Sequence, residues 1–254
     1  MGKPGVGKTT LIKELSLSDG FLHWDEAYIR AVERAFNDSG DKGVLEQLTR
    51  VYGRVYDVLP EPLQDLEILR HVTHVTGISK DMRHRYLQEY PGSLERMERY
   101  LRRYTHDEKR VSTIADWLCF AAERYMLIQR YTEEFHETIL VDEGLVSRVG
   151  SVFVPPSPSK EIMAEDICDY CDNIPVPDRI ILLDASTETC ISRMKDRRKG
   201  LPLFHDEVSI RSALKRYDTC FEVALDYLSS TEVEVIKLDT EGGLEEVMDS
   251  LSSL

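Results

Sequence analysis

The sequence lacks the features that mark membrane, secreted and nucleic-acid-binding proteins. It has no run of about 18 apolar residues and no basic-then-apolar leader, so we expect a cytoplasmic protein without a transmembrane helix. Its five cysteines are an odd number, which fits a reducing compartment rather than a disulfide framework. Aspartate and glutamate (46) outnumber lysine and arginine (32), and the net charge of −14 argues against broad binding to a nucleic-acid backbone.

Length and composition indicate one globular domain. A chain of 254 residues with 42% hydrophobic and 31% charged residues can bury one sizeable core, or one domain with a helical elaboration. We therefore expect a single domain over residues 1–254 that acts on a small molecule and has no membrane partner. Nothing in the composition indicates an oligomeric state.

The most informative motif lies in the first nine residues. Gly2-Lys-Pro-Gly-Val-Gly-Lys-Thr9 matches G-x-x-x-x-G-K-[ST] in full, and a chance match in a chain of this length is on the order of one per cent. The pattern predicts a P-loop, whose backbone amides hold the phosphates of a nucleoside triphosphate. Lys8 would reach the β and γ phosphates, and the Thr9 hydroxyl would bind Mg²⁺. The predicted nucleotide contacts are Gly2, Lys3, Pro4, Gly5, Val6, Gly7, Lys8, Thr9 and Thr10.

The surroundings of this motif favour phosphate binding over a glycine-rich loop without a ligand. The residues after Thr10 have the spacing of an amphipathic helix, and helix N-termini attract anions. A P-loop ordinarily follows a central buried strand, yet only Met1 precedes Gly2. We expect a missing upstream strand of about five residues; a cropped sequence, or another segment in the central position, would also explain this.

Predicted strands and helices alternate along the chain. The strand segments are largely apolar on both faces, which predicts an α/β fold with a parallel sheet covered by helices on both sides. Helical spacing dominates residues 40–135, which predicts a mostly helical insertion between the second and third strands. The predicted strands are residues 20–25, 138–143, 178–184 and 233–238, and the clearest helices are 9–17, 26–38, 112–135, 204–229 and 244–251.

Acidic residues end the predicted strands, where ligands bind in sheets of this kind. Asp142 is predicted to hold Mg²⁺, with a helix-capping or salt-bridging acid as the alternative. Asp25 or Glu26 is predicted to accept the proton of an attacking hydroxyl. The alternative for Asp25 is the N-cap of the helix that follows.

Two basic clusters carry different expectations. Arg193, Arg197 and Arg198 precede Gly200 and would neutralise charge on transferred phosphate oxygens, unless they are a solvated helix end favoured by the helix dipole. The second cluster is interleaved with glutamates at helical spacing, which favours a solvated, ion-paired face over recognition of an anionic acceptor. It comprises Arg96, Arg99, Arg102 and Arg103.

One further motif, Cys168-Asp-Tyr-Cys171, has the spacing of a redox or metal-binding pair. No second cysteine pair and no histidine lies near it in the sequence. Two ordinary, partly buried thiols are therefore favoured over a redox or metal site.

The order of these parts resembles the nucleoside and nucleotide kinases of the P-loop class, and most closely the thymidylate kinases. The resemblance covers the P-loop and roughly residues 138–254. Its most telling stretch runs from Pro177 to Gly200 and is similar to that family's fourth strand, the following helix and the arginine-bearing lid, here residues 194–206. A second stretch is Val-Ile-Lys-Leu-Asp239-Thr-Glu-Gly, a loop that passes near the adenine in that family. The resemblance implies that Arg198 and Asp239 contact the nucleotide.

One stretch departs from the family pattern. Thymidylate kinases follow the third strand with Asp-Arg-aromatic, whereas this chain has Asp142-Glu-Gly-Leu-Val-Ser-Arg148. Glu143 stands in place of the arginine, and Arg148 comes later. We assign Glu143 and Arg148 to the acceptor site, and the kinase class is better supported than any particular acceptor.

The expected function is ATP-dependent phosphoryl transfer, with Mg²⁺, to a small hydroxyl- or phosphate-bearing acceptor such as a nucleoside or nucleotide. The alternative is an ATPase that couples hydrolysis to a conformational change or to partner binding. The Asp142-Glu143 pair supports this alternative, because some ATPases use a second acid to activate water. A nucleotide-binding module without catalysis is disfavoured by the intact Lys8 and Thr9.

Overall fold

The computed structural model describes residues 1–17, 20–40, 43, 61–154, 162–196, 207–242 and 244–252. These residues form an α/β fold that is mostly helical. The strands are β1 (Phe21–His23), β2 (Thr138–Leu140), β3 (Arg179–Asp184) and β4 (Glu234–Asp239). The helices of the first half are α1 (Lys8–Leu15), α2 (Trp24–Ser39), α3 (Glu61–Val75), α4 (Ile78–Glu89), α5 (Ser93–Tyr104) and α6 (Glu108–Arg130). The later helices are α7 (Val149–Phe153), α8 (Ala164–Asp172), α9 (Thr187–Asp196), α10 (Glu207–Ser229) and α11 (Leu244–Ser252), and short 3₁₀ turns cover Thr132–Glu134 and Val146–Arg148.

The chain divides into two compact units. The first comprises Met1–Leu15, Gly92–Leu118 and Asp142–Leu254, and the second comprises Ser16–Pro91 and Cys119–Val141. Each unit holds its own two-stranded parallel sheet. The helical segment predicted as an insertion, residues 40–135, therefore contributes to both units.

The sheet of the first unit pairs β3 with β4 in parallel, from Arg179 opposite Glu234 to Asp184 opposite Asp239. Met1 lies along the other edge of β3, where its carbonyl accepts a 2.9 Å hydrogen bond from the Leu183 amide. Its amine donates to the Ile181 carbonyl. The predicted P-loop thus begins beside the carboxyl end of β3.

Aromatic packing forms much of the core of the first unit. Phe153 of α7 is fully buried, and its ring lies 5.3–5.8 Å from those of Tyr100, Tyr104 and Tyr170. Aromatic pairs at such separations add favourable ring contacts to the burial of apolar surface. They join α5, α7 and α8, against which α10 also packs.

The sheet of the second unit pairs β1 with β2 in parallel. The buried side of α2 carries Ala27, Ala31, Val32 and Phe36, a spacing that places them on one helical stripe. This helix contacts β1, β2 and α3. It ends at Gly40, whose φ of 77° is the left-handed conformation common after a helix.

Two predicted strands are shorter than expected. The first ends at His23, and α2 begins at Trp24, so Asp25 and Glu26 lie in the first turn of a helix rather than at a strand end. The N-cap is His23, whose Nδ1 accepts a 3.3 Å hydrogen bond from the Asp25 amide. The capping role considered for Asp25 is therefore wrong, because the preceding side chain already supplies the acceptor.

The strand predicted over 138–143 ends at Leu140, and the next residue, Val141, is 42% exposed. Asp142 therefore lies two residues beyond β2 rather than at its end. The expected burial of this strand is also wrong, because Thr138 is exposed and Ile139 and Leu140 are only half-buried.

The helix predicted from Ser112 begins four residues earlier, at Glu108. The Asp107 carboxylate accepts hydrogen bonds from the amides of Lys109 (3.0 Å) and Arg110 (3.2 Å), which caps the helix at that point. The single continuous sheet is also not seen, because strand pairing in the described parts of the chain forms two separate ladders.

Other predicted elements are confirmed, among them α1, β3, β4 and α11. Ser186 caps α9, since its hydroxyl accepts a 3.1 Å hydrogen bond from the Thr189 amide. None of the helices within the described ranges is both long and apolar enough to cross a bilayer.

Candidate functional site

Two glycines of the predicted P-loop have different structural roles. Gly5 has a φ of 85°, and a Cβ placed on it would lie 2.5 Å from the Cys190 carbonyl oxygen. Gly7 has a φ of 102°, but a Cβ there would meet no described atom within 4 Å. Gly5 therefore lets the loop pack against α9, whereas Gly7 leaves space over the loop that a phosphate group could use.

The loop leads directly into a helix. The Gly7 carbonyl accepts hydrogen bonds of 3.1 Å from the amides of Thr10 and Leu11, so the first turn of α1 starts within the motif. Thr9 and Thr10 are exposed in that turn. This arrangement places the positive end of the helix dipole at the loop, as anion binding requires.

The Lys8 ammonium lies against the loop's own backbone. Its Nζ donates to the carbonyl oxygens of Gly2 at 2.6 Å and Lys3 at 3.1 Å. A cation held at the centre of the loop is available to a phosphate oxygen that approaches the same point.

Asp142 lies within electrostatic reach of this part of the loop. Burial is the main cause that lowers the pKa of the Met1 amine from 8.0 to about 5; Lys8 lowers it further, and Asp142 opposes both. Both Asp142 and Lys8 therefore act electrostatically on the Met1 amine, which bonds the Ile181 carbonyl of β3.

A cavity of about 280 Å³ borders the loop within the first unit. Its walls come from the P-loop, α1, the start of α11 and the ends of β3 and α9; they include Gly7, Leu11, Leu183, Arg193, Thr240 and Val247. This volume lies near the lower limit of about 300 Å³ for small-molecule pockets and suits one ring system rather than a whole nucleotide.

Arg193 lies at the wall of this cavity. Its guanidinium donates to the Thr240 carbonyl at 2.6 Å and to the Val6 carbonyl at 3.3 Å. The predicted lid arginine is thus joined to the P-loop and to the residue after β4. Arg197, Arg198 and most of the predicted lid lie outside the described residues.

The loop after β4 is held by its own acids. The Asp239 carboxylate accepts a 2.8 Å hydrogen bond from the Glu241 amide. The Glu241 carboxylate accepts from the Thr189 hydroxyl at 2.6 Å and from the Ser186 amide, and these bonds lower the pKa of Glu241 to about 2. The family resemblance places Asp239 near the adenine; here its carboxylate shapes the turn.

The residues assigned to the acceptor contact each other. Arg148 Nη2 donates to the Glu143 carboxylate at 2.7 Å, and its guanidinium lies 5.1 Å from the ring centre of Trp117. The Arg148 Nε is buried and has no hydrogen-bond partner among the described residues. Trp117 is 44% exposed although it is a large aromatic residue. This group can offer a cation and an aromatic surface to a ligand.

In the second unit, Asp25 pairs with an arginine that the sequence did not single out. Arg124 is 5% exposed, donates to the Asp25 carboxylate and stacks 4.0 Å from the Trp24 ring centre. The only sequence signal was the adjacent charged pair Glu123-Arg124 in an otherwise apolar stretch of α6. Because Arg124 is buried, it fixes the orientation of Asp25.

Glu26 is also engaged in an ion pair. It accepts a 2.6 Å hydrogen bond from Arg30, which also bonds Glu137 at 2.9 Å. The proton-accepting role of Asp25 or Glu26 remains a prediction.

The basic face of α5 pairs with groups of the protein itself. Arg102 bonds Glu98 (2.9 Å) and Glu108 (2.8 Å), Arg103 bonds Asp166 (3.0 Å), and Arg96 bonds Asn173. These contacts favour the ion-paired face over recognition of an anionic acceptor.

Cys168 and Cys171 of the C-x-x-C motif are half-buried and buried thiols, respectively. Burial raises the pKa of Cys171 to about 12, and burial likewise raises the pKa of Cys168. Across the described ranges, no three His, Cys, Asp or Glu side chains come together as a metal site would require.

Comparisons of the chain with protein-family models, with curated proteins and with solved structures found no match. The function of the chain is therefore inferred from its own residues and their geometry.

Proposed function

We propose that the chain is an ATP-dependent phosphotransferase that binds the nucleotide phosphates on residues 2–9. The observation that carries the proposal is the conformation of this loop. Gly7 leaves open space above a helix N-terminus, and the Lys8 ammonium lies inside the same loop. Backbone amides, a helix dipole and a lysine aimed at one point are what a polyphosphate requires.

The neighbouring cavity supports a nucleotide rather than a simple phosphate ion. It borders Gly5, Val6 and Gly7 and is walled on its other side by Leu244 and Val247 of α11. Its size and apolar walls suit a nucleobase, and Arg193 at its edge can stack on a planar ring. The phosphates would then extend from the cavity over Gly7.

The residues also suit a Mg²⁺ ion bound together with the nucleotide. The exposed Thr9 hydroxyl and the half-buried Asp142 carboxylate are hard oxygen ligands, and Mg²⁺ commonly takes one or two protein oxygens plus substrate phosphates. When bound, the ion neutralises charge on the phosphate oxygens. A site completed by phosphate oxygens needs no cluster of three acidic side chains.

In this proposal three residues of the first unit have a defined task. Lys8 leaves the carbonyls of Gly2 and Lys3 and neutralises the charge that develops on the transferred group. Gly7 lets the backbone approach the phosphates. Arg148, which carries Glu143 as its carboxylate partner, offers its guanidinium to the acceptor.

A second candidate function is an ATPase. The acid pair Asp142-Glu143 supports it, because the second acid could orient a water molecule toward the γ-phosphate. Against this, the Glu143 carboxylate is 62% exposed and is held by Arg148 at 2.7 Å. A carboxylate that already accepts a hydrogen bond from a guanidinium is less free to orient a water molecule.

The test is a screen of small acceptors with γ-labelled ATP and Mg²⁺, with products separated into labelled acceptor and free phosphate. A phosphotransferase should give one labelled product per ATP consumed and slow phosphate release without acceptor. Lys13→Ala, an exposed lysine on the same helix α1, serves as the matched control for Lys8→Ala. Release of free phosphate under every condition would replace the proposal with the ATPase, and failure to bind ATP would refute both.

A further inference from the structure

An ion pair between a buried lysine and a half-buried aspartate joins the loop of residues 2–9 to a helix far along the chain. The Lys3 side chain is 5% exposed, and its Nζ donates to both carboxylate oxygens of Asp218 in α10, at 2.8 and 2.9 Å. Asp184, the last residue of β3, lies 3.8 Å away. The two partners are 215 residues apart in the chain.

The pair is unsuited to direct phosphate binding. A buried ammonium with a two-oxygen carboxylate partner is already neutralised, and removing that partner would leave an uncompensated charge. Lys3 is therefore not a second phosphate-binding lysine, although it lies within the motif.

The backbone of Lys3 connects this anchor to Lys8. The Lys3 carbonyl accepts a 3.1 Å hydrogen bond from Lys8 Nζ, while its side chain is fixed to α10. On either side of Lys3 the loop backbone passes close to β3 and α9, since a Cβ at Gly2 would lie 2.6 Å from the Leu183 carbonyl oxygen and one at Gly5 would lie 2.5 Å from the Cys190 carbonyl oxygen. Lys3 is thus the side-chain anchor in the first half of the loop.

We propose that the Lys3–Asp218 pair positions the P-loop, so that Lys3 and Asp218 act on phosphate binding through the loop backbone and Lys8. Both are positioning residues, since neither needs to touch the ligand. The effect of the pair on nucleotide affinity rests on the proposed function. Its effect on the stability of the loop conformation does not.

The first measurement therefore uses the protein without nucleotide. Asp218→Asn should raise amide hydrogen exchange in residues 1–15 by at least about tenfold, equivalent to losing one charge-assisted hydrogen bond, while β4 stays protected. The matched control is Glu188→Gln, which removes the exposed Arg211–Glu188 pair about two turns earlier on α10 and should leave this exchange unchanged. Unchanged exchange in Asp218→Asn would overturn the inference.

A double variant separates positioning from general stability. Lys3→Met with Asp218→Asn leaves no buried charge unpaired, so its melting temperature should return towards that of the wild type. Fast exchange in residues 1–15 should persist, because the link to α10 is still absent. If Asp218→Asn alone does not fold, the exchange of the double variant tests the inference instead. Slow exchange of residues 1–15 in the double variant would overturn the inference.

The second measurement is the dissociation constant for the Mg²⁺ complex of a non-hydrolysable ATP analogue. We expect at least about tenfold weaker binding in the double variant, again the equivalent of one charge-assisted hydrogen bond. Asp218→Glu, which keeps the charge, should retain most of the affinity. If the double variant shows fast loop exchange but the wild type does not bind the analogue, the proposed function is refuted and the positioning role of the pair is kept. If the double variant shows fast loop exchange but binds the analogue with unchanged affinity, the pair does not act on phosphate binding.

Discussion

Arg193 and Thr240 bridge the outer side of the P-loop. Arg193 Nη2 donates a 2.6 Å hydrogen bond to the Thr240 carbonyl, and the Thr240 hydroxyl donates to the Val6 carbonyl at 3.1 Å. The same hydroxyl lies 2.8 Å from the Asp184 carbonyl. The residue after β4 therefore holds both the loop and the end of β3.

Thr240→Val should test this bridge. The substitution removes a buried hydroxyl that lies within hydrogen-bond distance of two backbone carbonyls. We expect it to lower the free energy of unfolding by about 1–3 kcal/mol. Denaturant unfolding measures it. Thr219→Val, which removes an exposed hydroxyl bonded to the Lys215 carbonyl in α10, is the control and should cost less than half as much.

Alanine at two loop glycines should separate folding from binding. Gly5→Ala places a Cβ 2.5 Å from the Cys190 carbonyl, so we expect a lower melting temperature. Gly7→Ala meets no described atom and should mainly impair nucleotide binding. Gly20→Ala is its control, because Gly20 has a similar φ of 93° and equally open surroundings.

The backbone strain of alanine at positive φ should cost roughly the same stability at Gly7 and Gly20, on the order of 1 kcal/mol. Thermal melting and calorimetric titration with Mg·ATP measure the two effects. Equal nucleotide affinity in Gly7→Ala and wild type would show that the space over Gly7 is not used by phosphate.

Lys8→Ala should leave the fold intact and lower phosphoryl transfer by about 10²–10³-fold, the usual loss for one group that stabilises transition-state charge. Circular dichroism measures whether the variant is folded, and transfer of label from ATP measures its activity. Lys13→Ala, on an exposed position of α1, should behave as the wild type. Near wild-type turnover in Lys8→Ala would remove this lysine from the site.

Glu143→Gln distinguishes the two candidate functions. In a phosphotransferase the change should be modest, because Glu143 only partners Arg148 and glutamine can still accept that hydrogen bond. In an ATPase that uses Glu143 to activate water, the substitution should almost stop phosphate release while ATP stays bound. The measurement is phosphate release without acceptor; fast release that Glu143→Gln abolishes would contradict the kinase proposal.

The buried thiols should resist alkylation in the folded protein. Burial raises the pKa of both Cys171 and Cys220 to about 12, so at pH 8 only about one thiol in 10⁴ is the reactive thiolate. We expect iodoacetamide to label these positions only after unfolding in urea, as mass spectrometry of peptides would show. Rapid labelling of Cys171 in the native state would reopen a redox role for the C-x-x-C segment.

The sequence alone predicts those parts of the structure whose conformation depends on residues close together in the chain. The helix α1 and the strand β3 could be predicted from short patterns, because their conformations follow from local spacing of apolar residues and backbone preference. The Lys3–Asp218 pair could not, since the two residues lie 215 positions apart and only folding brings them together.

Misplaced boundaries have a related cause. Asp25 is a good N-cap by residue type, yet the His23 ring already caps the helix by accepting a hydrogen bond from the Asp25 amide. The apolar Val141 suggested a longer strand, but pairing with β1 ends at Leu140. Arg124 was missed because an arginine in an apolar helix shows its importance only when Trp24 and Asp25 pack against it.

The contacts of Lys8 bear on which anions the loop selects. Its ammonium already donates to two backbone carbonyls, so an anion that binds there competes with them as an acceptor. Chloride offers a single centre and loses its hydration in the exchange, whereas a polyphosphate offers several oxygens to the lysine and the amides at once. Under the proposed function, the loop would therefore discriminate by the number of oxygens an anion presents together, and simple salt should compete poorly with a polyphosphate.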